Sequence, residues 1–101
     1  MKNFRTYELA LKFYKQSQTL KLKAPLKDQF QRASLSIVLN LAEGYGRRTS
    51  KDRKKFYSIA MGSLRETQAL LGIIDSQKEL QQTDQLGAYL YNLIKNPGGS
   101  S

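Results

Sequence analysis

Arg47, Arg48, Lys51, Arg53, Lys54 and Lys55 fall within nine consecutive positions, and Asp52 is the only acid among them. Guanidinium and ammonium groups are charged hydrogen-bond donors, and phosphate oxygens are their natural acceptors. The run overlaps a predicted helix start, Thr49-Ser50-Lys51-Asp52. Free backbone N–H groups and the positive end of the helix dipole favour an anion at such a start. Tyr45, just upstream, offers a ring on which a base could stack. The run therefore reads as a phosphate-contacting surface, against the plainer alternative of a solvated charged turn. Zinc-finger, RNP and GXXG patterns are absent, so any recognition is of backbone and shape.

Other chemistry is largely excluded by residue type. The chain contains no Cys and no His, which removes thiolate nucleophiles, histidine acid–base pairs and Ser-His-Asp triads. Glu43 and Glu66 fall near inner helix faces, but di-metal sites in helical bundles pair Glu with His at a three-residue spacing. Asp28 and Asp75 show no matching pattern. We expect no catalytic residue, metal or cofactor, and therefore no enzyme. Seventeen Lys and Arg against eight Asp and Glu give a net charge of +9. RNA and DNA lead the polyanions this charge would attract. No apolar run reaches the roughly 18 residues of a membrane span and no signal-peptide core is visible, so a cytoplasmic protein without membrane contact is expected.

The elements that position these residues are read from apolar periodicity. Phe4, Tyr7, Leu11 and Tyr14 mark one face of a first helix, about residues 3–21, with Ala10 and Phe13 widening the stripe. Pro25 ends that stretch. A second helix over 26–42 has Leu26, Phe30, Ala33, Ile37 and Leu41 as its seam. Gly44-Tyr45-Gly46 closes it, with glycine expected in a left-handed cap. Thr49 is the expected cap of a third helix over 50–78, whose inner face is read as Phe56, Ala60, Ser63, Thr67, Leu70 and Ile74. The fourth helix starts either at a capping box, Ser76-Gln77-Lys78-Glu79, or at Thr83. Leu86, Tyr89, Leu90, Leu93 and Ile94 are its apolar positions. Short links between long amphipathic helices favour neighbours that run antiparallel. The expected fold is an all-α, up-down-up-down four-helix bundle over residues 1–96, followed by a flexible polar tail, 97–101, with no packing role.

Two features exceed what one such bundle needs. Leu35, Leu39, Ile59 and Leu64 lie off the inner seams, and apolar surplus of this kind asks for cover from further copies of the chain. Arg32, Ser36, Asn40 and Glu43 recur every three or four residues along the second helix, while Gly62, Ser63 and Glu66 offer small and acidic positions on the third. Either these form a hydrogen-bonded network within or between bundles, or they are a solvent-facing edge.

The run Arg32-Ala33-Ser34-Leu35-Ser36-Ile37-Val38-Leu39-Asn40-Leu41-Ala42-Glu43-Gly44-Tyr45-Gly46-Arg47 resembles the signature of the four-helix-bundle family of 23S rRNA intervening-sequence proteins. Phe56 and Ile59-Ala60-Met61-Gly62-Ser63-Leu64-Arg65-Glu66 resemble its second motif. The resemblance implies an up-down bundle that assembles as a homopentamer with a basic surface and acts on RNA. Relatives serve as accessory proteins of diversity-generating retroelements, which adds DNA and a reverse transcriptase as implied partners. By the match, Arg32, Ser36, Asn40, Glu43, Gly44, Gly62, Ser63 and Glu66 are the family's characteristic positions, implied to define fold and assembly. The chain is short for the family between the third and fourth helices, and both roles stay open at this point.

Overall fold

Four amphipathic stretches form four helices, α1 (Lys2–Ser17), α2 (Leu26–Tyr45), α3 (Ser50–Ile73) and α4 (Gln77–Lys95). They are seen in a computed structural model that describes residues 2–101, with side chains from Phe4 onward. Each helix packs on its neighbours in sequence, and α1 closes the square against α4. Contacts across the α2–α3 seam give the direction. Gly44 meets Phe56 and Tyr57, Ser36 meets Ser63, and Arg32 meets Glu66, so α3 rises as α2 falls. Gln68 bonds to Thr83, and Leu64 packs at Gly87, so α4 reverses again. The bundle measures 44 × 21 × 18 Å, its long axis matching the ~36 Å expected of a 24-residue helix plus connections.

The core divides along that axis. One cluster joins Ala10, Ile37, Leu41, Tyr57, Ala60, Leu64, Leu86 and Leu90, and a smaller one joins Phe13, Phe30, Ala33, Leu70 and Leu71. Buried hydroxyls interrupt the apolar packing, and three of them bond back to carbonyls one turn earlier. Ser34 donates to Phe30 O (2.7 Å), Thr67 to Ser63 O (2.8 Å) and Thr83 to Leu80 O (2.6 Å), each turning back onto its own helix.

The α3 face differs from expectation. Its buried residues are Tyr57, Ala60, Leu64, Thr67, Leu70 and Leu71, whereas Phe56, Ser63 and Ile74 are only half-buried. A helix wedged between α2 and α4 buries a broad stripe centred between both neighbours, not one seam. Leu64, grouped above with the residues awaiting a partner chain, is therefore 1% exposed in the chain's own core.

Helix ends differ for local reasons. α1 stops at Ser17 because Ser17 and Gln18 side chains both take Tyr14 O, at 3.0 Å each, in place of a continuing ladder. α2 runs on to Tyr45, and Gly46 caps it at φ −76°, so the expected left-handed cap is absent. Gly44 is needed for space instead: a Cβ there would lie 2.7 Å from the Tyr57 ring. Thr49 caps α3 as expected, its hydroxyl accepting from Asp52 N at 3.2 Å. α3 ends at Ile73, short of the expected residue 78, because Asp75 turns to φ +55° and Ser76 N bonds back to Leu71 O at 3.0 Å. α4 then starts after Ser76, whose hydroxyl meets the Glu79 carboxylate. Thr83 lies inside that helix, buried, and is not its cap. Among the described residues, no helix is long and apolar enough to cross a membrane.

Candidate nucleic-acid interface

The end of α2, the start of α3, the start of α1 and the end of α4 meet at one end of the bundle, where the cationic run lies. The structure divides its six cations by what they touch. Arg47 pairs with Glu43 (Nη2–Oε2 2.7 Å), and its guanidinium stands 4.8 Å from the centre of the Phe56 ring. Lys55 Nζ lies 5.8 Å from the same ring. Arg53 donates through Nε to Arg47 O (2.7 Å) and through Nη1 to Pro97 O (3.5 Å). Arg48, Lys51, Lys54 and Lys55 are exposed, and among the described residues none of them is in an ion pair. Arg5 and Lys95, both exposed at the start of α1 and the end of α4, add to the same end.

Two expected contributions are engaged within the chain. Tyr45 is half-buried, with Phe4 edge-on at 6.4 Å and the Arg53 guanidinium 5.9 Å over its ring, so it holds Arg53 rather than presenting an open platform. The helix start is also largely occupied. Ser50 N donates to Ser100 O (2.8 Å), Asp52 N to the Thr49 hydroxyl, and Arg53 N to Thr49 O (3.0 Å). The capacity for phosphate therefore rests on side chains more than on the backbone of the first turn.

The occupant of Ser50 N is the stretch after α4, expected above to have no packing role. Ser100 N donates to Arg48 O at 3.0 Å and Ser100 O accepts from Ser50 N, a short parallel bridge beside Thr49. Side-chain patterning could not have found this, because the contacts are made by backbone. The pair Gly98-Gly99, both at positive φ, is the one local sign of a turn there.

The polar stripe of α2 and α3 becomes a seam. Arg32 pairs with Glu66 at 3.3 Å, Ser36 and Ser63 hydroxyls meet at 2.7 Å, and Asn40 Nδ2 donates to Ser36 O (2.9 Å) and Oγ (3.1 Å). Both alternatives hold in part, since Ser36, Asn40 and Ser63 are half-buried while Arg32 and Glu66 are exposed. Glu43 and Glu66 each answer an arginine, and among the described residues no three potential metal ligands come together. Beside this seam Leu35, Leu39 and Ile59 are exposed at 36%, 58% and 44%. Gly62 is exposed as well, and a Cβ there would meet nothing within 4 Å. Ile73 and Tyr91 are further exposed apolar residues that periodicity did not single out.

A family model described as 23S rRNA-intervening sequence protein matches residues 4–95. No curated protein and no solved structure matches the chain.

Proposed function

This chain belongs to the 23S rRNA-intervening sequence protein family, and we propose that it is a non-enzymatic, cytoplasmic nucleic-acid-binding protein that contacts phosphates through its basic end and assembles with copies of itself. The observation that carries the reading is the set Arg48, Lys51, Lys54 and Lys55, exposed around one turn and without an acid partner among the described residues. Like charges held together in this way repel each other and attract counterions. A polyanion that displaces those counterions gains their release, and that gain shrinks as salt rises. The net charge of +9 extends the same field over the whole chain.

Self-association is supported by the apolar face of Leu35, Leu39 and Ile59, flanked by a helical glycine, Gly62, for which packing within the chain supplies no reason. Mid-helix glycine costs about 1 kcal/mol relative to alanine, and close approach of a second chain is a physical reason to keep it. A ring of copies would set several basic ends side by side.

RNA and DNA duplexes bound across a salt series test the reading. Log K should fall steeply and linearly with log salt, and replacing Arg48, Lys51, Lys54 and Lys55 by Gln should flatten the line. A flat dependence in the parent chain contradicts phosphate contact. Light scattering tests assembly: Leu39→Glu should lower the mass in solution, and a parent chain that is monomeric when concentrated overturns that part.

A further inference from the structure

Arg53 sits in the middle of the cationic run, yet its donors turn into the chain. Nε bonds to Arg47 O in the α2–α3 connection, Nη1 to Pro97 O beyond α4, and the guanidinium covers Tyr45, which packs on Phe4 of α1. One side chain thus touches the end of α2, the α2–α3 connection and the stretch after α4, and reaches α1 through Tyr45. The stretch after α4 completes the arrangement. Gly98 O accepts from the Ser50 hydroxyl at 2.7 Å, and Ser100 is bonded on both sides, to Arg48 O and Ser50 N. Gly99 lies at φ +83°, and a Cβ there would stand 2.7 Å from Arg48 O and 3.1 Å from Arg53 Nε. Only glycine lets the chain pass that closely in that conformation. Residues 97–101 carry no charged side chain, and Arg48, Lys51 and Lys54 remain exposed beside them.

We infer that residues 97–100 are a strap over the α2–α3 connection, and that Arg53 is a positioning residue for nucleic-acid binding and not a phosphate ligand. The connection is short and carries like charges on both sides, which would splay if its backbone were free. Tying Arg48 O, Ser50 N and the Arg53 guanidinium to one uncharged segment holds the remaining cations in a fixed array. A fixed array loses less freedom when it meets a phosphate backbone. This inference rests on the phosphate reading of the basic end.

The test uses full-length chain and a short fluorescein-labelled RNA duplex, with affinity measured over a salt series. Amide exchange at Ser50 reports the strap separately, and circular dichroism verifies that each variant keeps its helices. Gly99→Val removes no charge, yet it should lower affinity by roughly threefold to tenfold through lost pre-organisation, leave the salt slope unchanged, and expose the Ser50 amide to exchange. Arg53→Lys should behave like Arg53→Gln, because an ammonium cannot make the forked contacts of a guanidinium. Lys51→Gln should instead reduce the salt slope by about 0.9, the loss of one phosphate contact on a duplex. If Gly99→Val disturbs the helices, the Arg53→Lys comparison decides alone. The inference is overturned if Arg53→Lys binds like the parent, if Arg53→Gln reduces the slope as Lys51→Gln does, or if Gly99→Val binds more tightly, as release of an inhibitory segment would cause. A parent chain that does not bind the duplex overturns the phosphate reading itself, a result distinct from these.

Discussion

Both ends of the bundle are cationic, but they are built differently. At the end where α2 turns into α3, cations rest on rings: Arg47 and Lys55 on Phe56, Arg53 on Tyr45, with Lys95 over Tyr91 nearby. The connection there is short and is bonded to the strap. At the other end, Lys21 and Lys23 lie exposed on the longer stretch between α1 and α2, and Lys27 lies in the first turn beyond it. The apolar residues of that stretch, Leu20 and Leu22, cover the smaller core cluster and support no cation. Charge alone thus appears at both ends, whereas a held array appears at one. Of the proposed phosphate contacts, Lys55 packs on a ring. Arg48, Lys51 and Lys54 differ from Lys21, Lys23 and Lys27 in the strap-bonded backbone that carries them, so less freedom is lost on binding.

Substitutions at the two ends and in the seam between them should differ widely in cost. Gly44→Val drives a branched side chain into the Tyr57 ring and should lower stability by about 2–3 kcal/mol through overpacking. Gly46→Ala, with its nearest neighbour at 3.6 Å, should stay within about 0.5 kcal/mol. Urea denaturation reads both. Next, replacing Arg48, Lys51 and Lys54 together by Gln should weaken duplex binding about tenfold to a hundredfold at low salt, while the same change at Lys21, Lys23 and Lys27 should cost no more than about threefold. Equal losses would erase the distinction between the ends. Ser36→Ala removes hydroxyl contacts to Ser63 and Asn40 and should cost about 1 kcal/mol of stability. Least of all, Glu66→Gln breaks an exposed pair with Arg32. It should cost less than about 1 kcal/mol, and the cost should fade as salt is raised.

How far these features were legible in the sequence follows from the kind of force behind each. The four helices were legible because burial imposes a period, and Phe13, Phe30, Ile37, Leu86 and Leu90 keep it. The polar seam was legible for the same reason, since Ser36 and Ser63 sit at helical spacing from Arg32 and Glu66. The Thr49 cap was legible from local chemistry. The turned face of α3 was not, because two flanking helices share Leu64 and Leu71, and a single-seam reading must choose between them and Ser63. Nor was the role of Gly44, since a glycine kept for Tyr57 looks in sequence like a glycine kept for its φ. The inward turn of Arg53 was hidden by its neighbours: a run of cations carries no record of which one points back. The strap was hidden more completely, because on its own side nearly all of its bonds run through backbone carbonyls and amides, which leave no mark in side-chain pattern.

Lysine footprinting separates the two ends, because it reads individual side chains whatever the size of the assembly. The chain is acetylated lightly with and without a saturating RNA duplex, and protection is quantified at each lysine. Strong protection is expected at Lys51, Lys54 and Lys55, with Lys21, Lys23 and Lys27 left as reactive as in the free chain. Protection confined to Lys21, Lys23 and Lys27, or spread evenly over both ends, would contradict phosphate contact through the basic end.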